Sequence, residues 1–282
     1  MSNTSRVPSE ARDCGPVAVV IPAYNEAGSI AGLAARALQQ APLVIVVDDA
    51  SQDGTAALLA GLPITLLHHD ENRGKGAALA TGFAAALARG AGRVVTLDGD
   101  GQHRPEDIPR LLARARQLPG AIVIGSRAAD RAAFPKSRYI ANRVADFWIS
   151  WAAGHNIDDS QSGFRLYPRA VLEAVRADPR KRFVFESELL IDAVRCGVRT
   201  EALPIPALYG SADLRPSHFR PVADIAAIVI MVARKLLSRG LYLRGLTAML
   251  QDRWRARKTD KANLAQNHGR LPFEQKRVGP AE

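Results

Sequence analysis

The sequence predicts an α/β protein built on a mostly parallel sheet with helices on both faces. Two observations lead to this fold class. Short apolar, β-branched runs alternate with Ala- and Leu-rich stretches from Val17 to about Pro204, which is typical of βαβ units. The runs are also apolar throughout, so both faces of each strand are expected to be covered by helices. Ligands of such a sheet bind beyond the carboxyl ends of its strands.

Five runs are the predicted strands, and each is followed by a polar cluster. In chain order the runs are "VAVVI", "LVIVV", "ITLL", "RVVTL" and "AIVIG". The clusters that follow them are "PAYNE", "DDASQDGT", "NRGKGAA", "DGDGQH" and "GSR". The carboxyl ends of parallel strands meet at one edge of a sheet, so we expect these clusters to lie together.

Composition restricts the functional class. The chain has 282 residues and a net charge of +10, which predicts one main domain and an anionic partner: nucleic acid, an anionic membrane or a phosphorylated substrate. Cys14 and Cys196 lie far apart, which argues against a disulfide framework and a thiolate metal site and favours the cytoplasm. The six histidines form no HExxH pattern, so a zinc site is not expected.

The acids Asp98 and Asp100 carry the clearest chemical signal. At a spacing of two in an extended segment their side chains point to the same side, and Gly99 between them would let a bulky ligand approach the backbone. Carboxylates gathered at a sheet edge repel one another and any phosphate unless a divalent cation lies between them. Oxygen ligands of this kind suit Mg²⁺ or Mn²⁺.

Each cluster also has a structural interpretation when taken singly. Aspartates beside glycines commonly form turns, and "PAYNE" and "DDASQDGT" could serve as a turn and a helix cap. The segment "NRGKGAA" fails the Walker pattern, which needs glycine at His69 and Ser or Thr at Gly76. Lys75 at the predicted helix start is nevertheless placed to hold an anion.

Taken in order, these motifs resemble those of family-2 glycosyltransferases, including the dolichyl-phosphate mannose synthases and their bacterial polyprenyl-phosphate relatives. The resemblance covers about Val17 to Arg220. It implies a GT-A fold with an inverting, metal-dependent site. By motif match, the residues implied at the donor nucleotide are Pro22, Tyr24, Glu26, Asp49 (or, as a weaker candidate, Asp48), Lys75 and Asp98, and the implied metal pair is Asp100 and Gln102.

Later motifs are similar to segments around the acceptor and the transferred sugar. The catalytic residues implied are Asp100, Arg127 in "GSR", Asp159 in "DSQSGFR" (with Ser162 and Arg165) and Glu188 in "FVFESELL", with Glu186 as a further candidate. The two glutamates could instead be stabilising charges at a helix N-terminus. In "RPSHFR", His218 stands where the synthases have lysine, so Arg215 or Arg220 would have to replace its phosphate contact.

The chain divides into four expected segments. Residues 1–16 form a flexible leader without the apolar core of a signal peptide, residues 17–215 the GT-A domain, residues 216–252 helices and residues 253–282 a disordered basic tail. The apolar run from Ile225 to Ala233 is far below the roughly 20 residues that cross a bilayer. These helices would lie at an anionic membrane surface or pack on the domain.

The expected function is transfer of a hexose from a nucleotide sugar to a polyprenyl phosphate at the cytoplasmic membrane face, with Mg²⁺ or Mn²⁺. A hydroxyl acceptor on a glycan or lipid is the alternative, and it would need Glu186, Glu188 or Asp159 as general base. A non-catalytic peripheral membrane or anion-binding protein is the second alternative. Nucleic acid is not an expected partner, because the tail offers only Trp254 and Phe273 among its basic residues.

Overall fold

The computed structural model describes residues 15–127, 136–175, 184–206, 221–238 and 240–268. The strands are β1 (Val17–Ala23), β2 (Leu43–Asp48), β3 (Thr65–His68), β4 (Arg93–Thr96), β5 (Ile122–Ser126), β6 (Arg165–Pro168) and β7 (Thr200–Pro204). The α-helices are α1 (Ile30–Leu38), α2 (Lys75–Ala88), α3 (Ile108–Gln117), α4 (Lys136–Ala153), α5 (Arg169–Ala174), α6 (Val184–Arg195), α7 (Pro221–Leu237) and α8 (Leu243–His268). Most of the leader and the "RPSHFR" loop lie outside the described residues.

The strands form one sheet in the order β3-β2-β1-β4-β6-β5-β7. The strand β6 runs antiparallel to its neighbours β4 and β5, and the other pairs are parallel. The predicted α/β class with a mostly parallel sheet is confirmed, and all five predicted runs are strands. The strands β6 and β7 were not among them. The strand β6 begins with the charged residue Arg165 although it is buried along its whole length, and β7, "TEALP", is only partly buried and is not a continuous apolar run.

Apolar side chains cover both faces of the sheet. Along β1, Val19 and Ile21 belong to a core shared with α1 and α3, whereas Ala18 and Val20 belong to a core shared with α2, α4, α6 and α7. Successive strand residues face opposite sides of a sheet, and each side of β1 therefore meets its own layer of helices. This arrangement is why the strands read as continuous apolar runs.

The helix α7 packs on the domain through one face. Its residues Ile228, Val232 and Leu236 are buried, while Ile230 and Leu237 are exposed. The helix α8 continues to His268, so over residues 253–268 the structure differs from the expected disordered tail. That stretch is rich in Ala, Arg and Lys, which favour helices even when their charges are mixed. No helix in the described ranges has both the length and the apolarity needed to span a bilayer.

Candidate functional site

Polar residues gather at the carboxyl edge of the sheet, as the sequence predicts. The parallel register pairs Ala23 of β1 with Asp48 of β2, and Val20 of β1 with Thr96 of β4. The segments that leave these strands therefore start side by side. Asp98 and Asp100 follow β4 directly, and they lie beside the loop that follows β1.

The cluster at the centre of this edge consists of Lys75, Asp98 and Glu186. The Lys75 Nζ atom lies 2.6 Å from Asp98 Oδ1 and 2.6 Å from Glu186 Oε2. Lys75 is the first residue of α2, and Gly74 before it has φ 89°, a left-handed value that glycine adopts without a steric penalty. The turn at Gly74 therefore brings the lysine between two acids that are distant in sequence.

The electrostatics of the two predicted site acids differ. Burial alone would raise the pKa of Asp98, but the ammonium of Lys75 outweighs it and lowers that pKa to about 2. Burial and the negative charge of Asp98 raise the pKa of Asp100 to about 6. Asp100 Oδ1 accepts a hydrogen bond from the backbone N–H of Gln102 at 3.1 Å. Asp98 thus has its counter-charge, whereas the charge of Asp100 is only partly offset by its surroundings.

His103 lies behind Asp98 and is completely buried. Its Nε2 atom is 3.9 Å from Asp98 Oδ2, and its ring centroid is 5.4 Å from that of Phe164. Burial and the positive charge of Arg127 lower the pKa of His103 to about 4, so the imidazole is neutral at pH 7. Neither ring nitrogen has a hydrogen-bond partner among the described residues.

Arg127 and Asp159, both predicted catalytic residues, form a buried pair. Arg127 donates to Asp159 through Nε at 3.0 Å, a terminal nitrogen at 3.1 Å and its backbone N–H at 2.8 Å. Their side chains are 4% and 3% exposed. The pair joins the end of β5 to the loop before β6, and the charge of Arg127 also helps to lower the pKa of Asp98.

Arg165 holds the same region together from inside. Its guanidinium donates to Ser160 O at 2.7 Å, to the Tyr167 hydroxyl at 3.1 Å and to Glu186 O at 3.3 Å. Its side chain is 1% exposed, and the place near the acceptor that the motif resemblance implies for its segment stays a prediction. Arg165 supports the backbone at Glu186.

The structure separates Glu186 from Glu188, the glutamate that the motif resemblance implies as catalytic. Glu188 Oε1 lies 3.3 Å from the Nζ atom of Lys235 on α7. Residues two apart on an α-helix project about 200° apart, so only one of the two can reach Lys75. That residue is Glu186, and the position of Glu188 does not support a role at the acid cluster.

Asp49 has its contacts within the protein. Its Oδ1 accepts from the Arg73 N–H at 2.9 Å and lies 2.6 Å from His69 Nδ1, and its Oδ2 accepts from the Gly74 N–H at 2.6 Å. These contacts orient the turn that precedes Lys75. These contacts explain the buried position of Asp49 without a bound nucleotide. The predicted position of Asp49 near the nucleotide base stays a prediction. His69 was not predicted to have a role, since only the fold brings it next to Asp49.

The predicted donor residues of β1 and the following loop lie near Asp98 and Asp100. Pro22 and Glu26 are buried, and Tyr24 is half-buried. A Cβ atom placed on Gly99 would lie 3.0 Å from Pro22 O and 3.2 Å from Glu26 Cγ. The absence of a side chain at Gly99 therefore lets the segment after β4 approach the end of β1, and the approach of a ligand to this backbone stays a prediction.

Gly163 was also missed as a site residue. A Cβ atom placed on it would overlap the carboxylate of Asp98, so only glycine leaves room for that side chain. The "SGF" in "DSQSGFR" was the available sequence signal. Gly163 and Asp98 meet only because β6 lies beside β4.

The residues present fit a divalent ion that is bound together with a phosphorylated ligand. Among the described residues, no three His, Cys, Asp or Glu side chains form a ready metal cage. Mg²⁺ typically uses one or two carboxylates plus substrate phosphates and water. Asp100 with its raised pKa and the amide oxygen of Gln102 provide a hard donor set of that kind.

The fold and the acid-lysine cluster define an enzyme of the GT-A class, the fold that the sequence resemblance implied. The model of the family described as Glycosyl transferase family 2 matches residues 18–176. The chain therefore belongs to glycosyl transferase family 2, and it is a glycosyltransferase.

Individual proteins agree with this assignment. The chain is 32% identical over 211 residues to the polyprenol monophosphomannose synthase of Mycolicibacterium smegmatis, covering 70% of this chain and 79% of the relative. It is 33% identical over 201 residues to the undecaprenyl-phosphate mannosyltransferase of Micrococcus luteus, covering 67% and 82%. The crystal structure of glucosyl-3-phosphoglycerate synthase from Mycobacterium tuberculosis, in complex with Mn²⁺, UDP and glucosyl-3-phosphoglycerate, has a similar fold, with TM-score 0.58, 21% identity and 81% of each chain covered.

Proposed function

We propose that this enzyme transfers a hexose, with inversion, from a nucleotide sugar to a polyprenyl phosphate at the cytoplasmic face of the membrane. The observation that carries the proposal is the contrast between Asp98, which is paired with Lys75, and Asp100, whose charge is only partly offset. A sheet edge with these two acids would bind the diphosphate of a donor together with a divalent cation. The names of the two relatives described above support a polyprenyl phosphate as the acceptor.

Asp100 and Gln102 would hold a divalent ion, Mg²⁺ or Mn²⁺. The ion supplies positive charge to the diphosphate of the donor. The Mn²⁺ in the glucosyl-3-phosphoglycerate synthase complex supports this part of the proposal. Asp98, the first acid of the pair, would contact the nucleotide, and Pro22, Tyr24 and Glu26 would line the same side.

The reaction breaks the bond between sugar C1 and the diphosphate, so negative charge grows on the leaving group. Lys75 is 20% exposed at this edge, and its ammonium would stabilise that charge. The positive charge of Arg127, which lies in the buried pair with Asp159, would also act on the leaving group. The role of Lys75 requires it to leave at least one of its two carboxylate partners when the donor binds.

The state of the candidate bases favours a phosphate acceptor over a hydroxyl acceptor. A phosphate is already ionised at neutral pH and needs no general base, whereas a hydroxyl must lose its proton. Asp159 is paired with Arg127, Glu188 lies beside Lys235 and Glu186 beside Lys75. Each of these three candidate bases is therefore already held in an ion pair.

The surface of α7 and α8 supports contact with an anionic membrane. Exposed apolar side chains on these helices are Ile230, Leu237, Leu243, Leu250 and Trp254. The exposed cations Arg234, Arg244, Arg255 and Lys258 lie among them. Apolar side chains next to Lys and Arg are typical of helices that lie in the headgroup region of anionic bilayers.

The test is a transfer assay with the purified protein, Mn²⁺ or Mg²⁺, a panel of nucleotide sugars and a short polyprenyl phosphate. We expect a glycosyl phosphate lipid as product and no product with Asp100→Ala. Soluble hydroxyl acceptors and the dephosphorylated polyprenol serve as control acceptors. Transfer to these control acceptors, with the polyprenyl phosphate ignored, would overturn the proposal.

Membrane contact is tested separately by flotation with vesicles. We expect binding to vesicles that contain phosphatidylglycerol and weak binding to pure phosphatidylcholine vesicles. The variant Leu243→Asp should release the protein, and Thr247→Asp, one helical turn further on α8, measures the effect of the added charge alone. Equal binding of wild type to both vesicle types would contradict an anionic partner.

A further inference from the structure

The imidazole of His103 is an unexplained polar group inside the site. Its side chain is 0% exposed, and neither Nδ1 nor Nε2 has a hydrogen-bond partner in the described part of the chain. The great majority of buried polar groups in proteins are hydrogen-bonded. A buried imidazole without a partner therefore indicates that its partner is present only in another state of the protein.

The geometry limits which group that partner can be. Asp98 Oδ2 lies 3.9 Å from His103 Nε2, which is beyond a hydrogen bond by about 1 Å. The other charged groups near the ring are already engaged, since Arg127 and Asp159 bind each other through three hydrogen bonds. The carboxylate of Asp98 is instead paired with Lys75, whose Nζ atom contacts its Oδ1 at 2.6 Å.

We propose that His103 is a positioning residue that holds Asp98 when Lys75 moves to the diphosphate of the donor. The imidazole then donates its Nε2–H to Asp98 Oδ2, and this hydrogen bond keeps the carboxylate oriented after it has lost its ammonium partner. No proton is transferred in this exchange. The inference depends on the proposed function only in naming the donor as the group that draws Lys75 away.

The exchange also explains why the histidine is tolerated without a partner in the free protein. A residue that serves a ligand-bound state can reduce the stability of the free state. Replacing His103 by an apolar residue of similar size should then leave the free protein as stable or more stable, and it should weaken the donor-bound state. A histidine with a purely structural role would show the opposite result in the free protein.

The first test uses no ligand and is a double-mutant cycle on stability. His103→Leu alone should leave the melting temperature unchanged or raise it. The variant Lys75→Met removes the competing ammonium, so Asp98 is expected to turn to His103 in the free protein. In that background His103→Leu should lower the melting temperature, and His103→Gln, which keeps an N–H donor, should lower it less. Equal effects of His103→Leu in both backgrounds would overturn the inference.

The second test measures nucleotide binding by calorimetry, with UDP and GDP as probes in the presence of Mn²⁺. His103→Leu should weaken the binding of the better probe by about 10-fold or more, which corresponds to about 1.4 kcal/mol, and His103→Gln should stay within about 3-fold of wild type. In ¹⁵N-histidine spectra the ring N–H signal of His103 should move downfield in Lys75→Met without nucleotide. A signal that does not move in that variant would also refute the exchange.

The two tests separate the inference from the proposed function. If wild type binds neither UDP nor GDP, the donor assignment fails, and the ligand-free cycle alone decides whether His103 is the alternative partner of Asp98. If wild type binds a nucleotide and His103→Leu binds it equally well, the positioning role fails while the proposed function stands.

Discussion

Replacing Gly163 with alanine tests how closely the loop before β6 confines the first acid of the site. The added methyl group would overlap the carboxylate carbon and both carboxylate oxygens of Asp98. The backbone of Gly163 does not have a positive φ, so alanine is acceptable there for the main chain. The effect of the substitution is therefore steric, and it falls on Asp98 and its contact with Lys75.

The size of the effect follows from this geometry. Adding a methyl group to a tightly packed position costs about 1–3 kcal/mol. For a protein of this size that corresponds to a fall in melting temperature of about 2–10 °C. To relieve the overlap Asp98 must move by about 1 Å, and a displacement of that size at a site that positions substrate can reduce the rate about 100-fold.

Thermal unfolding and the sugar-transfer assay measure the two effects. The matched control is Gly28→Ala, because a Cβ atom at Gly28 meets no atom within 4 Å. The control should stay within about 0.5 kcal/mol of wild type in stability and keep full activity. If Gly163→Ala retained wild-type activity and stability, Asp98 would not be confined as described.

Two further substitutions test the buried charges around the site. Burial and the charge of Asp159 raise the pKa of Asp146 to about 7, above its value in the unfolded chain, so this group makes the protein less stable as pH rises from about 4 through 7. Asp146→Asn should remove that pH dependence and make the protein more stable by on the order of 2–4 kcal/mol at pH 8. Urea unfolding at pH 5 and pH 8 measures both effects. An unchanged pH dependence of stability would contradict the raised pKa of Asp146. Lys235→Met should remove the ammonium that contacts both Glu188 and Asp192 of α6 and lower the free energy of unfolding by about 1–3 kcal/mol, whereas Arg234→Met on the exposed side of the same helix should have little effect. Equal losses in both variants would refute these two contacts.

The sequence indicates the fold wherever a strand contains a continuous apolar run. The first five strands satisfy this condition. Their alternation with helices also predicts that the polar clusters lie at one edge of the sheet. The strand β6 does not satisfy the condition, because Arg165 begins it and is stabilised by Ser160, Tyr167 and the backbone of Glu186. Of these partners Glu186 comes from α6, and a local pattern does not contain that contact.

The same reasoning explains what the sequence reveals of the site. Asp98 and Asp100 are neighbours in the chain, so their spacing is enough to place them together. The contact of Lys75 with Asp98 and Glu186 joins three segments that only the fold brings together. The choice between Glu186 and Glu188 depends on which side of α6 faces the sheet edge, and a motif match does not contain that information.

The central claim is that the edge formed by Asp98 and Asp100 binds the diphosphate of a nucleotide sugar together with a divalent ion. Calorimetric titration of UDP and GDP into the protein, with Mn²⁺ and after complete chelation, tests it most directly. We expect at least one nucleotide to bind about 10-fold or more tightly with the ion, and Asp100→Asn to abolish that difference. Binding that is equally tight without the ion, or an ion effect that persists in Asp100→Asn, would contradict the claim.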